Sequence, residues 1–566
     1  MDIRRTILLM IFSLSLLMLW NNWQVHQGQQ PLFGVKPAAS TAKDGPAAGQ
    51  TNPNAGVPSS PAVAGASASA NAAVPASAPA AAAQTVSIKT DVLRLTFDLQ
   101  GAQLVEAELL KFPSSDDKGT PELLLQRNKD RTYIVQSGLT GAPAEAPFPS
   151  HLAAFTMVSD ALELTGDTLA VKFASEAGGV RLIKTFTLHR GSYAIEVEHH
   201  IENLSAQPVS PFVYLQITRD SFDPAAASTL PAIFTGPAAF VGAAIYSEQD
   251  KFQKVTFTDI EKHKSKYINQ ADNGWFAMVQ HYFVTAWVPP QGKSRNYEVA
   301  ELGKNLFAVR SLEPVGAINP GSNVAIHSKL WVGPQDQNSL EALAPGLELV
   351  VDYGMLTIIA KPLFALMTWL HALLGNWGWT IIALTCLIKA AFYPLSAASY
   401  RSMAKMKQVG PRMQALKEKF GDDRQKLNAA MMEMYRTEKI NPLGGCLPIV
   451  VQIPVFISLY YVLLSSVELR DAPWIFWVQD LATRDPYFIL PAIMMATMFL
   501  QMKLNPTPPD PVQAKVMMFM PLVFGGMMFF FPSGLVLYWC VNNILSIAQQ
   551  WYITQKMAAV AATPHR

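Results

Sequence analysis

Hydrophobic and polar positions change their pattern several times along the chain, and each pattern predicts a different kind of element. An apolar run over residues 7–20 follows Arg4 and Arg5 and ends near Trp23. Positive charges in front of an apolar run are typical of a segment that enters a membrane. Because no small-residue cleavage site follows the run, we predict that residues 1–23 are a retained transmembrane anchor with its N-terminus in the cytoplasm.

Residues 24–84 have the composition of a linker, since alanine, proline, serine and glycine dominate them. From residue 34 to residue 84 there is no aromatic side chain, and the only charged residues are Lys36, Lys43 and Asp44. A segment with so little apolar surface cannot bury enough of it to offset the entropy of ordering the chain. We therefore predict that this linker is disordered.

Alternation of apolar and polar side chains begins at about residue 85. It is strongest in residues 92–99, 181–188 and 193–201, and turns rich in glycine, proline and asparagine separate such runs. A period of two is typical of strands with one buried and one solvated face. The pattern therefore predicts an all-β sandwich of antiparallel strands over residues 85–350.

The predicted sandwich carries no recognisable catalytic or metal-binding pattern. Its histidines include His199, His200, His263 and His281, whose spacing does not match that of metal ligands. It contains no glycine-rich phosphate loop, no G-x-S-x-G nucleophile motif and no convincing pair of acid and base groups. We therefore predict that the protein is not an enzyme and holds no metal or other cofactor, and a sugar- or peptide-binding face on the sandwich stays open.

Apolar runs after the sandwich predict five transmembrane helices, at about 376–396, 443–467, 487–503, 515–531 and 535–552. A helix rises about 1.5 Å per residue, so runs of this length suit a hydrocarbon layer about 30 Å thick. These helices define a predicted core at 376–555, followed by a short cytoplasmic tail at 556–566. With the N-terminal anchor, the chain has six predicted spans and both termini in the cytoplasm.

The segment 397–442 determines the predicted orientation, because it contains ten lysines and arginines against five acidic residues. Short loops that are rich in Lys and Arg stay in the cytoplasm. The apolar run 353–374 is also long enough to cross a membrane, but a crossing there would place the basic segment outside. We therefore predict that residues 351–375 form an amphipathic helix along the outer surface.

The basic segment 397–442 is predicted to form a hairpin of two helices, in which Gly421-Asp422-Asp423 makes the turn and can cap the second helix. Methionines recur along both helices, and flexible thioethers adapt to varied apolar partners. This favours a partner-binding hairpin, and the alternative is a hairpin that is simply charged and solvated. The predicted partner-binding residues are Met403, Met406, Met413, Met431 and Met434.

Lys389 is a charged residue deep inside the first core run, and it gives the clearest functional signal in the chain. A lysine in the middle of a membrane helix costs about 2.5–3.5 kcal/mol on insertion scales. Thr385, Tyr393 and Ser396 fall on the same helical face, so Lys389 belongs to a polar stripe. The pattern favours a functional cation, and the alternative is a lysine that snorkels to the headgroups.

Composition agrees with a chain that is partly soluble and partly in a membrane, because 50% of its 566 residues are hydrophobic and only 15% are charged. This length predicts more than one domain. Cys386, Cys446 and Cys540 all lie in apolar runs, which predicts buried thiols rather than disulfides or metal ligands. No stretch predicts a direct nucleic-acid site.

Six short motifs in the C-terminal part make the chain resemble the YidC/Oxa/Alb family of membrane protein insertases in its Gram-negative bacterial form. The motifs are DYG (352–354), GNWG (375–378), YPL (393–395), SMAKM (402–406), NPLGGC (441–446) and FPSGL (531–535). Any one of them is weak, but together and in this order they are specific. The resemblance is dense over residues 350–552 and extends to the anchor and the sandwich by layout.

The resemblance implies a five-helix core around a polar groove that is open to the cytoplasm and to lipid but closed outside. It places the groove's cation at Lys389, where Gram-negative members usually have arginine. Further groove positions implied by the resemblance are Thr385, Gln452, Phe456, Tyr538 and Trp539. The spacing of Tyr538, Asn542, Ser546 and Gln549 independently predicts a wet face on the last helix, which adds Asn542 to the predicted groove.

The same resemblance implies the surroundings and partners of the protein. They are nascent membrane proteins and membrane lipid, with the Sec translocon and the ribosome as further partners. The expected location is a bacterial inner membrane with the sandwich in the periplasm. Family members with long basic tails use them for ribosomes, whereas this tail has only Lys556 and Arg566 as fixed positive charges.

We therefore expect an insertase without covalent chemistry, in which a polar flank enters the groove and a hydrophobic segment then passes into lipid. The main alternative is a secondary transporter in which Lys389 binds a substrate carboxylate. Transporters of that kind tend to show two similar halves, and no repeat is apparent between residues 379–467 and 487–552. The third alternative, an enzyme carried by the sandwich, lacks a catalytic motif.

Overall fold

The computed structural model describes residues 57–58, 84–114, 117–143, 145–223, 239–421, 423–438, 447–505 and 511–562. The predicted anchor at 1–23, nearly all of the predicted linker and residues 439–446 lie outside these ranges. The chain divides into two compact units, and the boundary between the β-rich unit and the helical unit falls between Val351 and Asp352.

The first sheet of the β-rich unit contains nine strands in the spatial order β1-β2-β3-β4-β5-β10-β17-β16-β13. These strands are β1 (Thr85–Lys89), β2 (Leu93–Asp98), β3 (Gln103–Pro113), β4 (Pro121–Arg127), β5 (Thr132–Thr140), β10 (Phe212–Asp220), β13 (Gln270–Ala271), β16 (Arg295–Gly303) and β17 (Leu306–Pro314).

The second sheet also contains nine strands, in the order β12-β11-β14-β15-β18-β9-β8-β7-β6. These strands are β6 (Thr156–Met157), β7 (Thr168–Ala177), β8 (Val180–His189), β9 (Ala194–Asn203), β11 (Gly242–Ser247), β12 (Lys251–Val255), β14 (Trp275–Val279), β15 (Phe283–Val288) and β18 (Asn323–Pro334). Two short helices, α1 (Phe257–Glu261) and α2 (Gln337–Leu343), belong to the same unit.

Neighbouring strands in both sheets run antiparallel, which confirms the predicted all-β sandwich. Strands β7, β8 and β9 show the predicted alternation of buried and more exposed residues. The middle of the first sheet differs, because β5, β10 and β17 are buried along nearly their whole length. A loop covers their second face, since the backbone N–H of His151 donates to the Tyr214 hydroxyl at 2.9 Å. The expectation of one wet face for each sheet was therefore wrong for these strands.

Lys184 lies in the core of the sandwich, on the inward face of β8. Its ammonium donates to the carbonyl oxygens of Gly101 at 2.6 Å and of Ser137 at 2.7 Å. The same nitrogen lies 4.7 Å from the centre of the Phe155 ring. Burial lowers the Lys184 pKa to about 7. Burial, and then the charge of Lys184, lower the pKa of the neighbouring His199 to about 3, and the His199 ring contacts the Ser137 hydroxyl at 2.8 Å.

The helical unit begins with α3 (Thr357–Leu374) and ends with the long helix α11 (Ser533–Ala562). Between them lie α4 (Trp377–Ala391), α5 (Tyr393–Gln408), α6 (Gly410–Phe420), α7 (Arg424–Thr437), α8 (Leu447–Ser465), α9 (Ile489–Leu504) and α10 (Pro511–Met528). Helix α11 packs against α4, α5 and α9, while α10 packs against α9. This arrangement confirms a helical core in the C-terminal part.

A bend of 67° separates α4 from α5. The break at Phe392 is explained by Pro394, which lies in the first turn of α5 and has no backbone N–H for a continuous helix. The predicted span at 376–396 is thus a helix that ends at Ala391 and a second one that continues to Gln408. The stripe that was expected to include Tyr393 is broken here, since Tyr393 is exposed whereas Ser396 is buried.

The predicted hairpin contains one more helix break than the sequence suggested. Helix α5 ends at Gln408, and α6 starts at Gly410 with Pro411 in its first turn. The second part of the prediction is confirmed, because Asp423 caps α7 by accepting a hydrogen bond from the Lys426 backbone N–H at 3.1 Å.

Both ends of α3 meet the same end of the helical unit. Before its start, the carbonyl oxygen of Asp352 accepts a hydrogen bond from Ser465 in the last turn of α8. After its end, Gly375 adopts a left-handed conformation (φ +66°), and Asn376 caps α4 while donating to the carbonyl oxygen of Pro473. Among the described residues, α3 alone passes a test of length and hydropathy for a membrane span, and the bent pair α4 and α5 passes it jointly.

Candidate functional site

A cavity of about 510 Å³ lies within the helical unit, between α4, α5, α8, α9, α10 and α11. Polar residues line one part of it: Lys389, Ser396, Ser399, Tyr400, Gln452, Gln501, Asn505, Asn542, Asn543 and Ser546. Apolar, aromatic and sulfur-containing side chains line the rest: Met403, Ile453, Phe456, Met498, Met502, Met517, Met520, Pro521, Tyr538 and Trp539. We refer to this space as the groove cavity.

Lys389 projects into the groove cavity from the last turn of α4 and is 6% exposed. Its ammonium donates to the Ser546 hydroxyl at 2.7 Å, and that hydroxyl donates to the backbone carbonyl oxygen of Asn542 at 2.7 Å. In the part of the chain that the structure describes, this is the ammonium's one hydrogen bond, and no carboxylate pairs with it. An ammonium has three donors, so Lys389 keeps unused donors at the wall of the cavity.

A second polar contact joins α8 to α11 across the groove cavity, because the Gln452 amide donates to the Asn542 side-chain oxygen at 2.8 Å. Asn543 lies one residue further along α11 and faces α9, where its amide donates to the Thr497 hydroxyl at 3.4 Å. These contacts connect three helices through polar side chains inside an otherwise apolar bundle.

The aromatic wall of the groove cavity consists of Phe456, Tyr538 and Trp539. The centre of the Phe456 ring lies 4.6 Å from that of Trp539 and 6.0 Å from that of Tyr538. The Trp539 indole nitrogen is buried and finds no hydrogen-bond acceptor among the described residues. The cavity therefore presents two kinds of unsatisfied donor, an ammonium and an indole N–H, beside an apolar wall.

The structure brings six of the seven predicted groove residues to this cavity: Lys389, Gln452, Phe456, Tyr538, Trp539 and Asn542. Thr385 is buried, but its hydroxyl donates to the carbonyl oxygen of Ile381 in its own helix, and it does not line the cavity. Sequence reasoning missed Ser399, Tyr400 and Asn543, although their spacing along α5 and α11 matches that of residues it had identified.

The predicted methionines of the hairpin have different environments. Met403 lines the groove cavity, while Met406, Met431 and Met434 are half-buried. Met413 is buried and accepts a hydrogen bond from the Tyr435 hydroxyl at 3.3 Å, so it packs α6 against α7. Met413 is therefore part of the hairpin's own packing, and the exposed methionine on this hairpin is Met432, which sequence reasoning did not select.

Comparison with known proteins decides the family. The membrane protein insertase YidC of Bordetella petrii is 66% identical to this chain, over 98% of each of the two proteins. The chain belongs to the YidC family of membrane protein insertases. The YidC of Paraburkholderia phymatum is 51% identical and covers 98% of this chain and 99% of its own length.

Two family models together span most of this YidC-family chain. The model described as the YidC periplasmic domain matches residues 85–366, and the model described as the 60Kd inner membrane protein matches residues 369–560. A crystal structure of an active YidC insertase is 17% identical, with a TM-score of 0.37, and covers 84% of this chain and 93% of its own. The family is thus one of inner membrane proteins that carry a periplasmic domain.

A second cavity, of about 450 Å³, lies in the part of the chain that matches the YidC periplasmic domain. Glu196 and Glu198 of β9 and Lys329 of β18 line it together with Trp275. Side chains of both charge signs face this cavity, which leaves open the sugar- or peptide-binding face considered from the sequence. Within the described residues, no group of three or more His, Cys, Asp and Glu side chains comes close enough to hold a metal ion.

Proposed function

We propose that the protein inserts nascent membrane proteins by admitting a polar flank of the client to the groove cavity beside Lys389. The client's hydrophobic segment then passes into lipid along α8 and α10. The observation that carries this proposal is a buried ammonium with one hydroxyl partner at the wall of a large cavity. A protein that used Lys389 only for stability would be expected to satisfy its remaining donors.

The donors of the groove cavity suit the chemistry of a client flank. A polar flank brings carbonyl and carboxylate oxygens, which are acceptors, and Lys389 and Trp539 place an ammonium and an indole N–H in the lining of the cavity. Opposite charges 4 Å apart attract by about 4 kcal/mol at an effective dielectric constant of about 20. An attraction of that size offsets much of the cost of bringing a charged flank into the membrane.

The route into lipid is suggested by the apolar surface of α10. Val516, Phe519, Leu522 and Val523 are exposed on it, whereas Met517 and Met520 of the same helix line the groove cavity. In water such an apolar surface would promote aggregation, whereas in a bilayer it contacts lipid or a client segment. A hydrophobic segment moving from the cavity past α10 would stay in apolar surroundings, so hydrophobic transfer can drive the step without a nucleotide.

The proposed topology has both termini and the basic hairpin in the cytoplasm and the sandwich in the periplasm. The positions of the α3 ends support a helix that lies along the outer surface, since both ends meet the same end of the helical unit. Cysteine labelling in intact cells should therefore place residues 350 and 376 on the same, outer side. Labelling from opposite sides would contradict this topology.

We extend the proposal to the Sec translocon and the ribosome as partners, on the basis of family resemblance. The hairpin of α5, α6 and α7 is the candidate contact with cytoplasmic partners, because Met432 exposes an apolar side chain among charged residues. The tail offers few fixed charges, with Lys556 and Arg566 as its only lysine and arginine.

Site-specific crosslinking to a stalled nascent membrane protein tests the proposal. A photoreactive side chain at residue 456 should crosslink to the client's flank or to the start of its hydrophobic segment. The matched control is residue 544, since Ile544 is exposed on α11 and does not line the groove cavity.

Crosslinks from 456 and none from 544 would support insertion through the cavity. Equal yields from the two positions would show that clients contact the bundle without entering the groove cavity. The absence of crosslinks from 456 with any membrane protein client would contradict the proposal and favour a small substrate.

A further inference from the structure

Exposed aromatic side chains collect around one end of the helical unit, at the N-terminal end of α4. Trp369, Trp379, Phe476 and Tyr487 all expose much of their surface there, and Phe476 reaches 80%. Ring contacts connect them through neighbouring residues. His371 stacks on Trp377 at 3.9 Å between ring centres, and Trp379 meets Trp474 edge-on at 5.9 Å.

The same series of contacts continues through the loop that joins α8 to α9. Phe476 stacks on Trp477 at 6.2 Å between ring centres, and the Trp477 indole donates to the Asp485 carboxylate at 3.0 Å. Asp485 in turn accepts hydrogen bonds from the backbone N–H groups of Tyr487 and Leu490. These contacts run from the end of α3 to the start of α9 and include Trp379, Phe476 and Tyr487, while Trp369 lies two residues before His371 on α3.

Phe476 is held outward by a strained backbone. Its φ of +50° lies in the left-handed region, which is unfavourable for a residue other than glycine. The turn around it is well made, because the Trp474 N–H donates to the Val478 carbonyl at 2.9 Å and the Gln479 amide donates to the Phe476 carbonyl at 2.7 Å. A tight, hydrogen-bonded turn that exposes a large apolar ring at a conformational cost indicates that the ring meets an apolar environment.

We propose that Trp369, Trp379, Phe476 and Tyr487 form an aromatic anchor that sits in the interface region of the bilayer and fixes the depth of Lys389. Aromatic side chains are enriched where hydrocarbon meets headgroups, because one part of the ring is apolar and another polar. The opposite end of α4 leads into the basic hairpin, so the aromatic anchor and the positive charges lie at opposite ends of the bundle.

The length of α4 makes the proposal quantitative. Trp379 and Lys389 belong to the same straight helix, ten residues apart, which corresponds to about 15 Å at 1.5 Å per residue. A hydrocarbon layer is about 30 Å thick, so an anchor at its edge puts Lys389 near its middle. At that depth a lysine's stem cannot reach the headgroups, and the groove cavity is its only source of polar contacts.

Depth-dependent quenching in proteoliposomes tests the anchor with the full-length protein. An environment-sensitive dye is attached to a single cysteine at residue 476, 544 or 432, and the lipids carry a nitroxide either near the headgroup or near the end of the acyl chain. We expect quenching at 476 by the shallow nitroxide and at 544 by the deep one, because Ile544 is exposed two residues before Ser546, the partner of Lys389. The dye at 432, on the exposed hairpin residue Met432, should show no quenching by either lipid.

Three results would overturn the inference. A dye at 476 that neither lipid quenches would show that the loop stands in water or docks on protein, and deep quenching at 476 would place it inside the hydrocarbon. A second measurement controls for a local effect of the label. If Trp379, Phe476 and Tyr487 are all replaced by serine in one variant, the depth of a dye at 544 should shift. An unchanged depth would likewise contradict the anchor. The readout concerns lipid alone, so its failure would leave the proposed insertase function standing.

Discussion

Among the described residues, each unit of the protein contains one buried lysine, and the surroundings of the two differ sharply. Lys184 in the sandwich donates to two backbone carbonyl oxygens, faces the Phe155 ring and is fully buried. Lys389 in the helical unit has one hydroxyl partner and lines a cavity of about 510 Å³. Burial of an ammonium is thus common to both sites, but Lys389 makes fewer hydrogen bonds than Lys184 and lies at the wall of a cavity that can admit a ligand.

The comparison favours a structural role for Lys184 and supports the proposed role of Lys389 in client binding. The ammonium of Lys184 bridges the sheets, since β8 belongs to one sheet and Ser137 of β5 to the other. Its hydrogen bonds are made within the fold, so removing them should affect folding. Under the proposed function, the ammonium of Lys389 contacts clients in the groove cavity, so removing it should affect clients more than folding.

The largest expected effect is on stability. Lys184→Ala leaves two buried carbonyl oxygens without their donor and creates a cavity, which should lower the free energy of unfolding of the sandwich by about 2–5 kcal/mol. Lys389→Ala removes one hydrogen bond at the wall of an existing cavity and should change stability by about 1 kcal/mol or less. Denaturant unfolding of the two full-length variants in detergent checks this order. A larger loss for Lys389→Ala would reverse the assignment of the two lysines.

A smaller effect should appear as a pH dependence of the sandwich. Burial lowers the Lys184 pKa to about 7 in the folded state, while an unfolded chain has a lysine pKa of about 10.4. Below pH 7 the lysine is charged in both states and the cost of burial is fully present. Between the two values only the unfolded state binds the proton, so stability should rise by up to about 1.4 kcal/mol per pH unit.

The pH dependence is measured as the difference in thermal stability between the wild-type protein and Lys184→Met, from pH 6.5 to pH 9.5. Methionine is unbranched, is one heavy atom shorter than lysine and cannot titrate, so the pH dependence of the difference reports on this one group. A difference that stays constant over the range would show that the two carbonyl acceptors compensate fully for desolvation.

Within the helical unit, the groove cavity and the hairpin surface can be compared by methionine replacements. Met403→Ser places a hydroxyl where a thioether lines the cavity and should slow insertion by roughly fivefold, equivalent to about 1 kcal/mol of lost apolar contact. Met432→Ser is the matched control, since Met432 is exposed on α7. The rate of insertion of one client into proteoliposomes checks both variants. A greater loss with Met432→Ser would assign the methionines' role to partner binding rather than to the cavity.

The smallest effect is expected from removing the sandwich. Deletion of residues 86–330 should leave insertion of simple single-span clients largely intact, because the polar contacts of the groove cavity all belong to the helical unit. Insertion assays with and without the deletion give the comparison. Complete loss of activity would show that the sandwich takes part in insertion itself.

The sequence predicted the broad elements well because they depend on local periodicity. Alternation located β8 and β9, and apolar runs located the core helices. The bend at Phe392 could also have been predicted, because Pro394 follows it by two residues. The polar stripe through Lys389, Tyr393 and Ser396 instead indicated one continuous helix. Lys184 was missed although it occupies an inward position of β8 in phase with Leu182 and Phe186.

Other features depend on long-range contacts that no local pattern encodes. The loop over Tyr214, which buries the second face of β5 and β10, comes from a distant part of the chain. The packing of Met413 against Tyr435 likewise depends on how α6 meets α7. Of the predicted groove residues, Thr385 does not line the cavity, and its hydroxyl donates to a carbonyl oxygen of its own helix, an outcome that residue spacing alone does not predict.

The most direct test of the central claim varies the charge at residue 389 and the charge of the client flank together. One single-span client with an acidic, neutral or basic flank is inserted by the wild-type protein and by the Lys389→Arg, Lys389→Ala and Lys389→Glu variants. If Lys389 serves as a groove cation, arginine should be close to neutral because it keeps the charge. Alanine should slow the acidic flank most, and glutamate more so through repulsion, while neutral flanks tolerate both. Equal losses for all flanks, or no loss for any, would contradict a role for the charge in client recognition.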